Sequence, residues 1–316
     1  QNYLSQQPTY FSSRVFRVPL ISFVEEEDGN SDIINDNVGF ETVSSLGEGD
    51  RYSRSQPFVF FSSSSSSSND DGIGMISAAG SEKLTKGFGP LLPGFVQIPF
   101  GDHDALMSVI DETVAAILIE PIQGEGGILP VPDQCLKGLR DCCDQKGILL
   151  IFDEIQCGMG RTGKLFAHEW AGVEPDIMAI AKGIGGGFPL GACLATLEAA
   201  ECMTAGTHGS TYGGNPLATA VGLEVMKRVN TTEFLKNVNY LAINFRQSLE
   251  ALVANHPKIF KSVRGSGLML GIECVIPNID VVNAGYDCKI LTVPGGANVI
   301  RLLPALNISL NELKEA

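Results

Sequence analysis

The chain has 316 residues, of which 44% are hydrophobic and 18% charged, and 36 of them are glycine. That length can bury one large core or two modest ones, and the glycine count suits an α/β enzyme with many tight turns. A formal net charge of −14 argues against nucleic acid as the main partner, because neutralising phosphates needs clustered Lys and Arg, and no apolar run approaches the ~18 residues of a membrane-spanning helix.

Residues 1–74 differ in character from the rest of the chain. The first 24 carry Arg14, Arg17, several serines and no acid, a faint likeness to an organelle transit peptide. An acidic knot comes next (Glu25, Glu26, Glu27, Asp28), then an unbroken serine run from Ser62 to Ser68. This region holds eleven acidic and four basic residues, a net of −7, which is half the excess charge. Little in it offsets the entropy of ordering a backbone, so the expectation is a largely disordered segment without recognisable chemistry. Two apolar patches, 15–24 and 58–61, could dock as strands.

Beyond residue 74 strands and helices alternate. Residues 114–120 form a β-rich apolar run, and 132–146 fit a helix with Asp133 in its first turn and Gly147 just past its end. Residues 148–152 are continuously apolar, as expected of a strand buried on both faces. Short strands are expected at 176–181 and 191–196, and a long helical stretch begins at Pro216. Residues 242–254 read as an amphipathic helix and 267–274 as a strand. The order predicts an α/β fold: a mostly parallel sheet with helices on both faces over 75–225, and a smaller α+β domain over 226–316. Eight cysteines form no CxxC pair and read as reduced thiols of a reducing compartment.

Asp153 stands directly after the strand at 148–152, where parallel sheets present groups to ligands; taken alone, it could equally be a helix cap. Lys182 ends the next apolar strand and is followed at once by Gly183, Gly185, Gly186 and Gly187. An amine in a partly apolar site loses its charge more readily and can form a Schiff base, and glycines let a bulky group approach. Between them, Gly158-Met-Gly-Arg-Thr-Gly-Lys164 fits a nucleotide-loop pattern, but Leu165 stands where Ser or Thr must hold magnesium, and Asp153 and Glu154 would repel phosphates. The polar loop from Thr207 through His208, Ser210 and Thr211 to Pro216 precedes a helix and suits a phosphate group, or serves as an ordinary capping loop.

Four segments carry a joint signal: Glu120-Pro-Ile-Gln-Gly-Glu125, Phe152-Asp-Glu-Ile-Gln156 with its glycines to Gly163, Ala181-Lys182-Gly-Ile-Gly-Gly-Gly, and His208-Gly-Ser-Thr-Tyr-Gly-Gly-Asn-Pro216. In order and spacing they resemble the class III, fold type I pyridoxal-phosphate (PLP) aminotransferases, nearest to the acetylornithine type. The resemblance runs from about Met75 to Leu303-Pro-Ala-Leu-Asn-Ile308. It implies PLP as cofactor and transfer of an amine from N-acetylornithine to 2-oxoglutarate in arginine biosynthesis, by a cytoplasmic homodimer with shared sites. The mitochondrial matrix is the alternative location. Ornithine, 4-aminobutyrate and succinyl-diaminopimelate remain alternative partners in the amine exchange. Lys182 is implied to form the Schiff base with PLP and to shuttle the proton. Asp153 is implied to pair with the pyridine nitrogen, Ile155 to pack on the ring and Gln156 to bond its hydroxyl, with Glu154 counted among the cofactor-binding residues. Thr211 would meet the phosphate of the neighbouring subunit's cofactor and Ser210 the substrate there. Arg301 would grip the substrate carboxylate, with Glu125 as its acidic gate partner. No metal is implied. The family's upstream phosphate turn and its aromatic-plus-arginine motif have no counterpart before Met75, where Ser68-Asn-Asp-Asp71 stands. The expectation is therefore a chain lacking the family's N-terminal portion, with a non-catalytic truncated or chimeric product as the second reading.

Overall fold

The computed structural model describes residues 12–16, 58–62, 77–78, 85–201, 203–204 and 209–316. The acidic knot, the serines beyond Ser62, the 68–71 segment, Thr207 and His208 lie outside the described residues, as does most of the region expected to be disordered.

The larger sheet holds seven strands: β1 (Ser12–Phe16), β2 (Phe58–Ser62), β3 (Phe95–Pro99), β4 (Ala116–Ile119), β7 (Leu149–Asp153), β8 (Ile177–Ile180) and β9 (Gly191–Ala195). Their spatial order is β2-β9-β8-β7-β4-β1-β3. β4, β7 and β8 run parallel and form its centre; β9 on one side and β1 on the other run against them, and the outermost β2 and β3 pair antiparallel with these, so that they run in the central direction again. A small β5 (Ile122–Gln123) and β6 (Leu129–Pro130) pair outside it. The apolar runs expected to be strands at 114–120, 148–152, 176–181 and 191–196 supply β4, β7, β8 and β9. β2 falls on the apolar patch at 58–61.

Register divides this sheet into two unequal faces. Ile117 pairs with Leu150, Ile119 with Phe152, Phe152 with Met178, and Ile180 with Ala192, so these residues share one face. All are at most 6% exposed. Helix α1 (His103–Val109) and helix α2 (Asp133–Lys146) contribute Leu106, Leu136, Leu139 and Cys143 to the cluster beneath it. The spacing 136, 139, 143 is the stripe of a helix lying on a core, and Gly147, left-handed at φ 66°, closes α2 by donating to Cys143 O. Burying one such side chain stabilises by about 1.5–3 kcal/mol. The opposite face carries Leu118, Leu149, Ile151, Asp153, Ile177 and Ala179, all only half-buried, and exposed Cys193. Its helical cover among the described residues includes the single turn α3 (Leu197–Ala200), where Ala199 and Ala200 pack near Leu149 and Ile177.

Helix α4 (Pro216–Val229) packs on the first face beside β8 and β9. Helix α5 (Thr232–Asn255) leads into a four-stranded antiparallel sheet of β10 (Phe260–Ser266), β11 (Met269–Cys274), β13 (Val299–Leu302) and β12 (Val293–Gly295), with α6 (Asn278–Asp287) alongside and α7 (Leu310–Glu315) last. The helix expected at 242–254 begins ten residues earlier: Thr231 accepts from Phe234 N, and Val238, Leu241, Ala242 and Leu249 form its buried stripe. No helix among the described residues is long and apolar enough to cross a membrane, and no group of His, Cys, Asp or Glu among them could hold a metal ion.

Candidate active site

The parallel strands β4, β7 and β8 end on one edge, and their carboxyl ends deliver the candidate groups together. Asp153 is the last residue of β7; its Cα partner in β8 is Ala179, three residues before Lys182. Asp153 lies half-buried on the incompletely covered face, with Oδ1 accepting from Ile155 N at 2.9 Å. Lys182 opens a 3-10 turn (Lys182–Gly185) at φ 51°, a left-handed backbone that a non-glycine residue seldom adopts. The turn is wedged: a Cβ on Gly183 would stand 2.8 Å from Met159 Cβ, and one on Gly186 2.8 Å from Val225 Cγ2. The amine is exposed, and no described hydrogen bond or ion pair engages it. A partly apolar enclosure was expected from sequence; the half-covered face accounts for the difference.

The next three residues diverge. Glu154 is fully buried, and its carboxylate is committed inward. Oε1 accepts from His168 N at 2.8 Å and sits 2.9 Å from His168 Nδ1, while Oε2 accepts from Ala167 N at 2.9 Å and from Cys157 Sγ at 3.2 Å. Burial, then the Glu154 charge, pushes the Cys157 thiol well above its ordinary range. Glu154 thus anchors the 3-10 turn Ala167–Trp170 beneath the site, with its oxygens spent on that turn. Gln156 is half-buried, and its Oε1 is buried without a hydrogen-bond partner. It occupies the space that a side chain at position 124 would need: a Cβ on Gly124 would fall 1.8 Å from it. An unsatisfied polar atom at a strand terminus suits a bound polar group, and together with the acid at Asp153 and the unengaged amine at Lys182 the donor set fits PLP.

Glu125 is exposed, and its carbonyl accepts from Gly296 N at 2.8 Å. The following turn lies against the β12–β13 hairpin, since a Cβ on Gly127 would come 2.5 Å from Gly296 O. Arg301 is half-buried on β13, its Nη2 3.5 Å from Pro294 O and its Nε buried without a partner. The backbone sets the β5–β6 turn that carries Glu125 against the β12–β13 hairpin that carries Arg301, but no described ion pair joins the two side chains. Ser210 Oγ accepts from Gly213 N at 2.9 Å, shaping the turn before α4, and Thr211 is exposed. Neither is in bonding contact with Asp153 or Lys182.

The glycine-rich 158–164 segment is a structural joint. A Cβ on Gly158 would meet Glu154 O at 2.7 Å, and one on Gly163 (φ 90°) would meet Asn239 Oδ1 at 2.1 Å. From the other side, a Cβ on Gly267 would lie 2.4 Å from Thr162 Cα. These glycines admit neighbouring chain rather than phosphate. Sequence reading missed Arg161 and the Glu154–His168 pair; a buried-acid role for Glu154 had no periodic signal, because its partner lies fourteen residues away in a turn.

An acid and a strained lysine on neighbouring parallel strand ends, with an orphaned amide beside them, is the arrangement expected of this fold type. The class-III aminotransferase family model matches residues 67–316, and the chain belongs to that family. Among individual proteins, it is 62% identical over 241 residues to the acetylornithine aminotransferase of Rhodobacter capsulatus, covering 76% of this chain and 61% of that protein. It is 58% identical to the enzyme of the same name from Mesorhizobium japonicum, covering 76% and 60%. The chain thus spans about three-fifths of the length of these relatives. Among solved structures, the ornithine aminotransferase of Toxoplasma gondii is similar at a TM-score of 0.73 and 35% identity, over 77% of this chain and 59% of that one. The N-acetylornithine aminotransferase of Stenotrophomonas maltophilia is similar at 0.69 and 34%, over 87% and 76%.

Proposed function

We propose that this chain takes part in PLP-dependent transamination between N-acetylornithine and 2-oxoglutarate, a step of arginine biosynthesis. The observation that carries the reading is the register of β7 and β8, which pairs Asp153 with Ala179, three residues before the exposed Lys182, at the carboxyl ends of adjacent parallel strands. Relatives more than half identical to it bear the name acetylornithine aminotransferase, and a Toxoplasma gondii ornithine aminotransferase structure is described with partial occupancy of PLP at its active site.

When bound, PLP supplies an electron-accepting ring. In this reading Asp153 holds a proton on the ring nitrogen, because an adjacent carboxylate favours the cationic ring. Gln156 would bond the ring hydroxyl and Ile155 would pack on the ring. Lys182 is the covalent anchor and afterwards the base that moves a proton at the substrate carbon. Arg301 presents a planar fork to a substrate carboxylate, a geometry that lysine lacks, and Glu125, on the turn bonded to that hairpin at Gly296, serves as its alternating partner. Thr211, exposed, and Ser210, half-buried, make no bond to Asp153 or Lys182 within one chain; in this reading they serve the site of a second copy, and the working unit is a homodimer, placed in the cytoplasm.

The test is incubation with PLP, borohydride reduction and peptide mapping, followed by glutamate formation from N-acetylornithine and 2-oxoglutarate. The expected result is a cofactor-sized mass gain on the Lys182 peptide, and turnover that Lys182→Ala abolishes. Turnover that survives Lys182→Ala, or PLP that stays free, refutes the reading.

A further inference from the structure

Arg301 has little holding it in place. Its one described hydrogen bond is the 3.5 Å contact with Pro294 O, its Nε is buried without a partner, and its Cγ and Cδ lie over Gly295, 3.2 Å from where a Cβ would stand. The orientation of its fork is therefore inherited from the strand that carries it. β13 is paired on both sides within the smaller sheet, and it is fastened to the larger unit at both ends. At its entrance Gly296 N donates to Glu125 O at 2.8 Å. At its exit Arg161 Nη1 donates to Leu268 O at 3.3 Å and, more closely, to Pro304 O, three residues beyond Arg301. Leu268 N returns a bond to Arg161 O at 2.9 Å.

Arg161 is an unusual choice for a mere filler. Burial alone acts on it and lowers its pKa to about 10, with no carboxylate beside it. Charges withdrawn from water are ordinarily paired with an opposite charge; this half-buried guanidinium is instead spent on main-chain carbonyls from two separate stretches of the smaller unit. Both carbonyls are met by the one nitrogen Nη1, whose two N–H bonds lie fixed in the guanidinium plane, whereas an ammonium turns freely on its stem.

We infer that Arg161 is a positioning residue for Arg301, fixing the exit of β13 against the large unit so that the Arg301 fork keeps its aim at a substrate carboxylate. The inference rests on the assignment of Arg301 given above. Small misplacements of a binding group are costly, and Arg161 acts at a distance, touching neither cofactor nor substrate.

The test uses the full chain and its Arg161→Met, Arg161→Lys, Arg301→Met and double Arg161→Met/Arg301→Met variants. Hydrogen exchange read by mass spectrometry is expected to quicken about tenfold in peptides covering 293–306 of Arg161→Met, the effect of losing one buried hydrogen-bonded anchor, while peptides of β4, β7 and β8 keep their rates. Calorimetric titration of the PLP-incubated chain with glutarate, a dicarboxylate probe, is expected to show affinity about tenfold weaker, with no further loss when Arg161→Met is added to Arg301→Met. Arg161→Lys is expected to regain melting temperature without regaining glutarate affinity. Unchanged exchange over 293–306, or additive losses in the double variant, overturns the inference. Failure of the unaltered chain to bind glutarate instead removes the carboxylate role of Arg301, and the exchange result then decides alone whether Arg161 fixes the strand.

Discussion

Gly267→Ala is the substitution whose cost the structure defines most closely. Gly267 has φ 58°, and a Cβ there would lie 2.4 Å from Thr162 Cα, 2.5 Å from Arg161 O and 2.5 Å from Thr162 C, all of them main chain that cannot rotate aside. The left-handed backbone alone costs an L-residue about 1–2 kcal/mol. Relieving the overlap requires the Gly267 turn and the 161–162 segment to part by roughly 1 Å, toward the ordinary carbon–carbon separation. That loosens the Leu268 N to Arg161 O bond of 2.9 Å, worth about 1 kcal/mol, and overpacking adds about 1–3 kcal/mol. Gly147→Ala is the matched control, with φ 66° and nothing within 4 Å of the added Cβ. The expected losses are about 3 kcal/mol or more for Gly267→Ala and about 1 kcal/mol for Gly147→Ala. The chain has a single tryptophan, and Trp170 Nε1 donates to Thr162 O at 3.3 Å and Thr162 Oγ1 at 3.2 Å. Its fluorescence during urea unfolding therefore reports on the segment that must move. A Gly267→Ala midpoint no lower than that of Gly147→Ala would show that the joint is not packed as described.

Two further outcomes concern buried and paired acids. Glu154→Ala strands Ala167 N, His168 N and His168 Nδ1 without their acceptor and leaves Cys157 Sγ only the longer contact with Asp153 O, so a loss of about 3–5 kcal/mol is expected in urea unfolding; a loss below ~1 kcal/mol would contradict the described network. Burial tends to raise the Glu273 carboxyl, but Lys261, Ser262 and Arg264 outweigh it and hold the group below its ordinary 4.5. A depressed folded value stabilises above pH 4.5 and loses that contribution as pH falls through the folded value. Glu273→Gln should therefore lower the urea midpoint at pH 7 and converge with the parent in acid, and a gap that persists unchanged in acid would count against the assignment.

Much of the frame could be read from residue order because periodic patterns report local burial. The apolar runs around Leu150, Met178 and Ala192 announced strands, and Gly147 announced the end of α2. The start of α5 was missed because Lys236, Asn237 and Asn239 dilute the apolar stripe of Phe234, Val238 and Leu241 until the Thr231 cap is considered. The two faces of the large sheet were not legible either: a continuous apolar run predicts burial on both sides, and only register shows that Leu149 and Ile151 face the thinner cover. Asp153 and Lys182 stood out as types in unusual places. Arg161 did not, because its acceptors lie 107 and 143 residues further along the chain, a separation with no periodic trace. The same holds for the glycines of 158–164, whose spacing resembles a phosphate loop while their need is steric.

The incomplete cover of the Asp153 face joins ligand occupancy to folding. A group bound on that face is absent from the unfolded chain, so it adds RT ln(1 + [L]/Kd) to the unfolding free energy, about 2.7 kcal/mol at a hundredfold excess over Kd. Leu118, Leu149 and Ile151, which the fold itself leaves half-buried, make this face the one where such an addition matters most. If PLP occupies this face as proposed, its supply widens the margin by which the chain stays folded, and the melting temperature should rise with PLP concentration.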